Sequence, residues 1–430
     1  LEKTVLSSRF IFEPPQSQPV GSVLYEEHLK LTDKSHITAF AGYLMPLWYS
    51  SISAEHATVR QTVGIFDCTH MGVWEISSTE AAEFLNLVIT NDITGLFVGS
   101  AQYSYILDTA GNVLDDIIIY KRAENKFMIV VNAANNLKIK AYLEGLRNNQ
   151  VVIDMGNPER KLKYSPAVRD MKICCDDADC RVDIALQGPA AKDLIFAIIK
   201  DKKIQEVIEN LKPFHFIETI MAGAECIISR TGYTGAKTGF ELFVHPAKAP
   251  QIWNKLLQGG AVPCGLGSRD SLRIEAGLPL YGHELAGPFN ISPFEAGYGW
   301  AVKLEKEFFI GKSAMQQNSK TYNMKVTRIE LPATKGVRPV RQNDAVLDKT
   351  GMCIGSVLSC AKVDEKQIAL AYISKNTMEN APVGIYYAAR NQNQVRQGRK
   401  QNIQKEQNLQ ADITGMVVSR FAKFDVGEKI

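Results

Sequence analysis

Arg230-Thr-Gly-Tyr233-Thr-Gly-Ala-Lys-Thr-Gly-Phe-Glu241-Leu-Phe-Val244 runs three glycine-marked turns straight into an alternating segment. Gly232, Gly235 and Gly239 free the backbone for positive φ and for close approach to a ligand. The alternation from Phe240 to Val244 reads as a strand, which sends Glu241 to the face opposite Phe240 and Leu242. A carboxylate fixed on a strand beside such turns suits a flat ligand with adjacent N–H donors, because its two oxygens can accept two parallel hydrogen bonds. A solvated strand residue is the plain alternative for Glu241.

Downstream lies Gly265-Leu-Gly-Ser-Arg269-Asp-Ser-Leu-Arg-Ile-Glu-Ala-Gly277. Ser268 reads as the N-cap of a helix that stops near Gly277. Arg269 then falls in the first turn, where a cation opposes the helix dipole by about 0.3–1 kcal/mol. Unpaired backbone N–H groups and an arginine at one helix start form an anion site. A salt bridge to a nearby acid is the alternative for Arg269.

The 430 residues exceed one core, so two or three domains are expected. The expected organisation is an N-terminal arm over 1–22, α+β regions over 23–150 and 151–315, and a β-rich domain over 316–430. Pro14, Pro15 and Pro19 make the arm extended or disordered. Helical spacing marks 135–146 and 249–257, and strands are clearest at 113–120, 127–132, 225–229 and 240–244. Short strands with turn signals follow at 325–331, 351–358, 368–373, 383–387 and 416–418, as in a small barrel or sandwich. The stretch from Arg390 to Gln410 is too polar to order itself and reads as a long mobile loop. The fold class is α+β.

A net charge of +3 gives no argument for nucleic acid as partner. No run of about 18 apolar residues is present, so no membrane-spanning helix is expected. The start at Leu1 shows no secretory segment, so any targeting peptide has been removed or was never there. Eight cysteines are scattered apart from Cys174, Cys175 and Cys180, which lack the spaced second pair of a zinc site; no metal is expected. Reduced thiols fit a cytoplasmic protein, or a mitochondrial matrix protein if eukaryotic.

The strand over 113–120 carries Asp115 and Asp116. Alternation puts Asp116, Ile118 and Tyr120 on one face and Asp115, Ile117 and Ile119 on the other, so the aspartates should not act as a carboxylate pair. On the hairpin partner, Met128, Val130 and Asn132 share a face. His70 tempts as an acid or base, but a packed histidine is the better reading.

These motifs together resemble the aminomethyltransferase, or T-protein, family of the glycine cleavage system. Phe40-Ala-Gly-Tyr-Leu-Met45-Pro, Gly64-Ile-Phe-Asp-Cys-Thr-His70-Met71-Gly, Thr90-Asn-Asp92, Gly111-Asn-Val-Leu-Asp-Asp116, Val130-Val-Asn132, Leu186-Gln-Gly-Pro189 and Pro293-Phe-Glu-Ala-Gly agree in the same order. The resemblance implies two mixed α+β domains plus a C-terminal β-barrel, arranged around a central folate channel. It implies Asp116 as the catalytic carboxylate, and a tetrahydrofolate pocket lined by Tyr103, Tyr120, Val130, Asn132, Tyr233, Glu241 and Arg269, with Met71 near the reacting end. Glu241 would take the amino-pyrimidine edge of the pterin. The implied partners are tetrahydrofolate, as one-carbon acceptor, and the lipoylated H-protein. The same pocket would also serve a folate-dependent methyltransferase or demethylase acting on a free methylated substrate, or a non-catalytic folate-binding protein. The sequence departs from the family in a turn before Glu241 that is longer by one residue, in Leu358-Ser-Cys360-Ala-Lys-Val-Asp, and in Ala422-Lys-Phe-Asp.

Overall fold

A computed structural model describes residues 10–173 and 179–422. Cys174, Cys175 and most of the Ala422-Lys-Phe-Asp segment lie outside the described residues. The chain forms two compact units. One comprises Leu1–Gly232, Ala236–Arg269 and Trp300–Gln317, and the other Tyr233–Gly235, Asp270–Gly299 and Asn318–Ile430, within the described residues.

The first unit contains two large sheets. The first sheet is antiparallel, with strands in the order Ser100–Leu107, Val113–Ala123, Lys126–Val131, Gly72–Ser77 and Ala167–Asp170. The second has the order Phe216–Met221, Ala224–Ser229, Gly239–Val244, Val182–Gln187, Gly64–Asp67 and Val262–Cys264, with only the last pair parallel. Both sheets draw strands from either side of residue 150, so the two α+β regions interlock rather than follow one another.

Strand alternation explains the layers. In the first sheet Ile117, Ile119, Phe127, Ile129 and Val131 face outward and pack under Phe84, Leu85 and Val88 of the helix Ala81–Val88 and Ile139, Tyr142 and Leu143 of the helix Asn136–Arg147. In the second sheet Ile184, Leu186, Phe240, Leu242 and Val244 face Leu194 and Ile195 of the helix Ala191–Ile198 and Ile252, Trp253 and Leu256 of the helix Ala249–Gln258. Each of these helices repeats its apolar residues at three and four, the spacing that makes one face. The alternate residues point the other way: Val73, Tyr120, Met128 and Val130 of the first sheet meet Ile227 and Phe243 of the second. The unit is thus helix, sheet, sheet, helix. Burial of each large apolar side chain contributes roughly 1.5–3 kcal/mol.

The end of the expected arm is tied in. Val20–Gly21 adds a parallel strand to Tyr43–Pro46, and the Ser22 hydroxyl donates to Asp67 Oδ2 at 2.6 Å. His28 Nε2 reaches the same oxygen at 2.8 Å, and its charge and proton hold the Asp67 carboxyl well below the usual carboxylate range against the penalty of burial.

The second unit holds a closed barrel of six strands, Met324–Pro332, Lys366–Ser374, Cys353–Val363, Ala345–Leu347, Pro382–Tyr386 and Ile413–Val418 in that order round the ring. Closure leaves no edge strand to pair elsewhere. Ala345–Leu347 is the strand that the sequence does not betray, being short and set between turns. The Arg390 to Gln410 segment differs from the loop expected of it. It forms a short helix, Gln392–Arg396, capped by Asn391 Oδ1, which accepts from the Gln394 N–H at 3.0 Å. Arg390 pairs with Asp344, Arg399 grips Asp412 through two bonds of 2.7 and 2.5 Å, and the Lys400 N–H donates to the Tyr386 hydroxyl at 2.9 Å. Composition counts apolar side chains and misses such polar anchors.

Within this unit Arg273 is buried against the barrel. Its NH1 donates to Glu284 Oε2 at 2.5 Å, its Nε to Asp270 at 2.8 Å, and its NH2 to Ser359 Oγ at 3.0 Å; Ser359 in turn donates to Glu284. Ser359 belongs to the strand Cys353–Val363, so the altered Leu358-Ser-Cys360 segment keeps the hydroxyl that this network needs. Breaking such a pair leaves an uncompensated buried charge, at a cost of about 3–5 kcal/mol. Glu284→Ala is therefore expected to lower stability by about 3 kcal/mol, read from the denaturant midpoint, whereas exposed Glu365→Ala should change it little.

Candidate active site

The layer between the two sheets is apolar at its centre and polar along its margin. On the first sheet Asp116 stands half-buried, on the face shared with Ile118 and Tyr120, as alternation requires. The Tyr103 hydroxyl donates to Asp116 Oδ2 at 2.9 Å, and Asn132 Nδ2 donates to Asp116 Oδ1 at 2.8 Å. Burial pushes the Asp116 carboxyl up, and these two donors pull it part of the way back. Burial, then the Asp116 charge, pushes the Tyr103 phenol far above its usual range, so it stays a donor. The Trp300 ring, half-exposed, lies 5.9 Å from that of Tyr103.

Asp115 faces the other way, fully buried. The expectation that alternation keeps the aspartates apart needs correction. Asn132 Nδ2 lies 2.8 Å from Asp115 Oδ1 as well as from Asp116 Oδ1, so one amide bridges both carboxyls. Alternation fixes the faces. It does not exclude a side chain at the strand end that reaches both.

On the second sheet Glu241 points inward with Phe243, and its Oε2 accepts from Thr231 and, at 3.4 Å, from the Tyr120 hydroxyl. Tyr120 thus spans the layer, edge-on to Phe243 at 5.3 Å and to Phe216 at 5.6 Å. Asp183 pairs with Phe243 in register and shares its inward face. It is buried, its Oδ1 has no hydrogen-bond partner among the described residues, and burial followed by the Glu241 charge pushes its carboxyl well up. Met71 and Val130 belong to the apolar part of the same layer.

The glycine turn works differently from its sequence reading. Gly235 has a φ of +73°, but Gly232 and Gly239 do not take positive φ. A Cβ at Gly232 would sit 2.2 Å from Gln187 Oε1, and one at Gly239 2.6 Å from it. Those two glycines make room for Gln187, whose Nε2 donates to the Thr231 and Phe240 carbonyls at 3.3 Å. Tyr233 belongs to the second unit, where its hydroxyl donates to the Pro279 carbonyl at 2.5 Å.

The helix after Gly265 spans Leu266–Ala276, so Ser268 is inside its first turn rather than the N-cap. The expected anion site there is filled by the protein itself. Glu55 accepts from the Gly265 N–H at 2.8 Å and the Ser268 hydroxyl at 3.0 Å, and from Tyr49 and Ser50 N–H at 2.6 and 3.0 Å. A buried helix start must satisfy its donors, and the nearest carboxylate does so. Arg269 is half-buried on a small cavity with Phe66, Asp67 and Cys264, and its charge offsets part of the rise that burial imposes on the Asp183 and Cys68 groups.

His70 is packed, as expected, edge-on to Phe40 at 5.7 Å. Sequence reasoning misses Thr231, Asp183 and Trp300 as site residues. A lone charge inside the apolar run Val182-Asp-Ile-Ala-Leu was the available signal for Asp183, because a buried strand tolerates one only for a reason.

Carboxylates and phenols thus line the margin of an apolar layer in a unit of two facing sheets, in a chain that also carries a closed barrel. The family profile described as GCVT N-terminal domain matches residues 24–306. The chain is 36% identical over 359 residues to an aminomethyltransferase of Exiguobacterium sibiricum, covering 82% of this chain and 91% of that one. It is 34% identical over 370 residues to an aminomethyltransferase of Thermotoga maritima, covering 85% and 92%. The crystal structure of glycine cleavage system aminomethyltransferase T from Bartonella henselae superposes with a TM-score of 0.72 at 28% identity, covering 94% of this chain and 97% of that one. The chain belongs to the GCVT aminomethyltransferase family, a folate-dependent family of transferases.

Burial lowers the His70 pKa from 6.5 to about 4. Its neutral form is native, so the unfolded state binds the extra proton and stability rises with pH between about 4 and 6.5. His70→Gln is expected to flatten that part of the stability profile, by on the order of 3 kcal/mol at its lower end in urea titrations.

Proposed function

We propose that this protein transfers the methylene carbon of an aminomethyl-lipoyl arm, presented by the H-protein, to tetrahydrofolate, releasing ammonia and forming 5,10-methylenetetrahydrofolate. The observation that carries the reading is the Asp116 carboxyl, half-buried at the margin of the layer and held at both oxygens by groups that fix its direction. Tetrahydrofolate supplies two ring-side nitrogens that take up the carbon and give up two protons. One of those protons is needed by the departing amine and the other by the lipoyl sulfur. No net oxidant or reductant enters. The protein's task is to place the reactants and to move protons, which a carboxyl of raised pKa does well near neutrality.

Each proposed contact follows from its surroundings. Glu241, anchored by Thr231 and Tyr120, would accept from the amino-pyrimidine edge. The Asp183 Oδ1 on the same face, with no hydrogen-bond partner among the described residues, fits a ligand rich in donors. Met71, Val130 and the Tyr103 ring would exclude water from the flat ring system, and Arg269 would favour an anionic group. Asp116 would accept a proton from a folate nitrogen and return it to the amine or the sulfur. Tyr103 and Asn132 would keep it aimed throughout.

The test is tetrahydrofolate-dependent ammonia release from an aminomethyl-loaded, lipoylated H-protein. Asp116→Asn is expected to bind tetrahydrofolate within a few-fold of the wild type by calorimetry and to lose at least about 100-fold in turnover. Full turnover in that variant removes Asp116 from the chemistry. Tight folate binding by a wild type that releases no ammonia would move the donor from H-protein to a free small molecule.

A further inference from the structure

Asp115 lies under the start of the helix Asn136–Arg147, out of reach of any ligand in the layer. It accepts hydrogen bonds from the Asn132 N–H at 3.0 Å, Asn132 Nδ2 at 2.8 Å and Asn135 Nδ2 at 2.5 Å. Every one of these groups can only donate. A proton placed on Asp115 would therefore point at another proton. Asp116 differs, because the Tyr103 hydroxyl at its Oδ2 can turn round and accept. Asn132 Nδ2 joins the two, lying 2.8 Å from an oxygen of each carboxyl and 3.2 Å from the Asp116 carbonyl.

Burial pushes both carboxyls up, and the Asp116 charge pushes Asp115 further. Two adjacent carboxyls in a dry place do not both ionise freely, and their titrations belong to the pair. Hydrogen-bond accounting then decides which member keeps the charge. Asp115, ringed by donors, favours the anion, and Asp116, whose Tyr103 partner can also accept, is the member placed to take up and release a proton. The charged and titratable groups facing the pair are Lys138 on the helix, which feels the Asp115 charge, and Tyr103, with Tyr105 beside it, on the neighbouring strand.

We propose that Asp115 is a positioning residue that, acting through Asn132, sets the proton affinity of Asp116. The inference rests on the reading of Asp116 as the group that moves protons. It adds that the carboxyl behind the strand tunes the carboxyl in front. Asn132 is the mechanical link: two bonds to Asp115 hold it, and its amide also meets Asp116, at Oδ1 and at the backbone carbonyl.

Two variants behind the strand separate this from a structural role. Asp115→Asn removes a negative charge and is expected to lower the Asp116 midpoint by about one pH unit. Lys138→Met removes a positive charge that offsets Asp115 and is expected to raise that midpoint by several tenths of a unit. The direct reading is the carboxyl 13C titration of ligand-free protein, with the Asp116 signal identified by its loss in Asp116→Asn. The pH at which ammonia release rises should move in the same directions. Opposite shifts cannot come from general loosening. An Asp116 midpoint unchanged in both folded variants overturns the proposal, and if Asp115→Asn does not fold, an unchanged or lowered midpoint in Lys138→Met does so alone. Wild-type protein without ammonia release, or active Asp116→Asn, would instead sink the catalytic reading, and the 13C titration would still decide the coupling.

Discussion

The first unit depends on one constraint: two sheets meet face to face, and whatever their strands point inward must be apolar or paired. Val73, Met128, Val130, Ile227 and Phe243 meet the first condition. Tyr120 meets both, since its ring packs on Phe243 and its hydroxyl reaches Glu241 on the opposite sheet. A polar group in such a layer is worth keeping only if its partners are supplied. The acidic residues of the site are therefore each held by named donors, and this holding makes them chemically useful. The Asp183 Oδ1 differs, having no hydrogen-bond partner among the described residues.

That constraint turns packing into electrostatics. Removed from water, the Asp116 and Asp183 carboxyls are both pushed upward, while Asp67, gripped by His28 and Ser22, is pushed down. One residue type thus has its proton affinity raised or lowered within one unit, according to what faces it. Glu55 shows the third use of a buried acid. It caps the helix that begins at Leu266 and closes to outside anions a position that the sequence had marked as open.

The second unit applies the same rule to a barrel. Its apolar interior, with Ile329, Val346, Val357, Ala371 and Ile385, is closed by hydrogen bonding round the ring. Arg273, Glu284 and Ser359 fasten the 270–299 segment to it through a network in which each group satisfies the next. The polar stretch after Arg390 is held by ion pairs together with the packing of Ile403 and Leu409 on Ala345, Leu347, Cys353 and Tyr386.

The sequence alone determined whatever depends on period and on local chemistry. Alternation placed Asp116, Ile118 and Tyr120 on one face, helical spacing located Asn136–Arg147 and Ala249–Gln258, and Gly277, with a φ of +82°, ended its helix where expected. These are properties of a few consecutive residues, and the ordered motifs that resemble the family are strings of the same kind. Only the tertiary structure decided which distant groups meet. Asn132 bridging two aspartates, Glu55 filling the helix start, Gln187 occupying the space left by Gly232 and Gly239, and Asp183 brought in behind Phe243 all join residues far apart in the chain. The reason is that a strand or helix restricts where a side chain points, whereas its partner is chosen by how the sheets close on each other, and no local period records that.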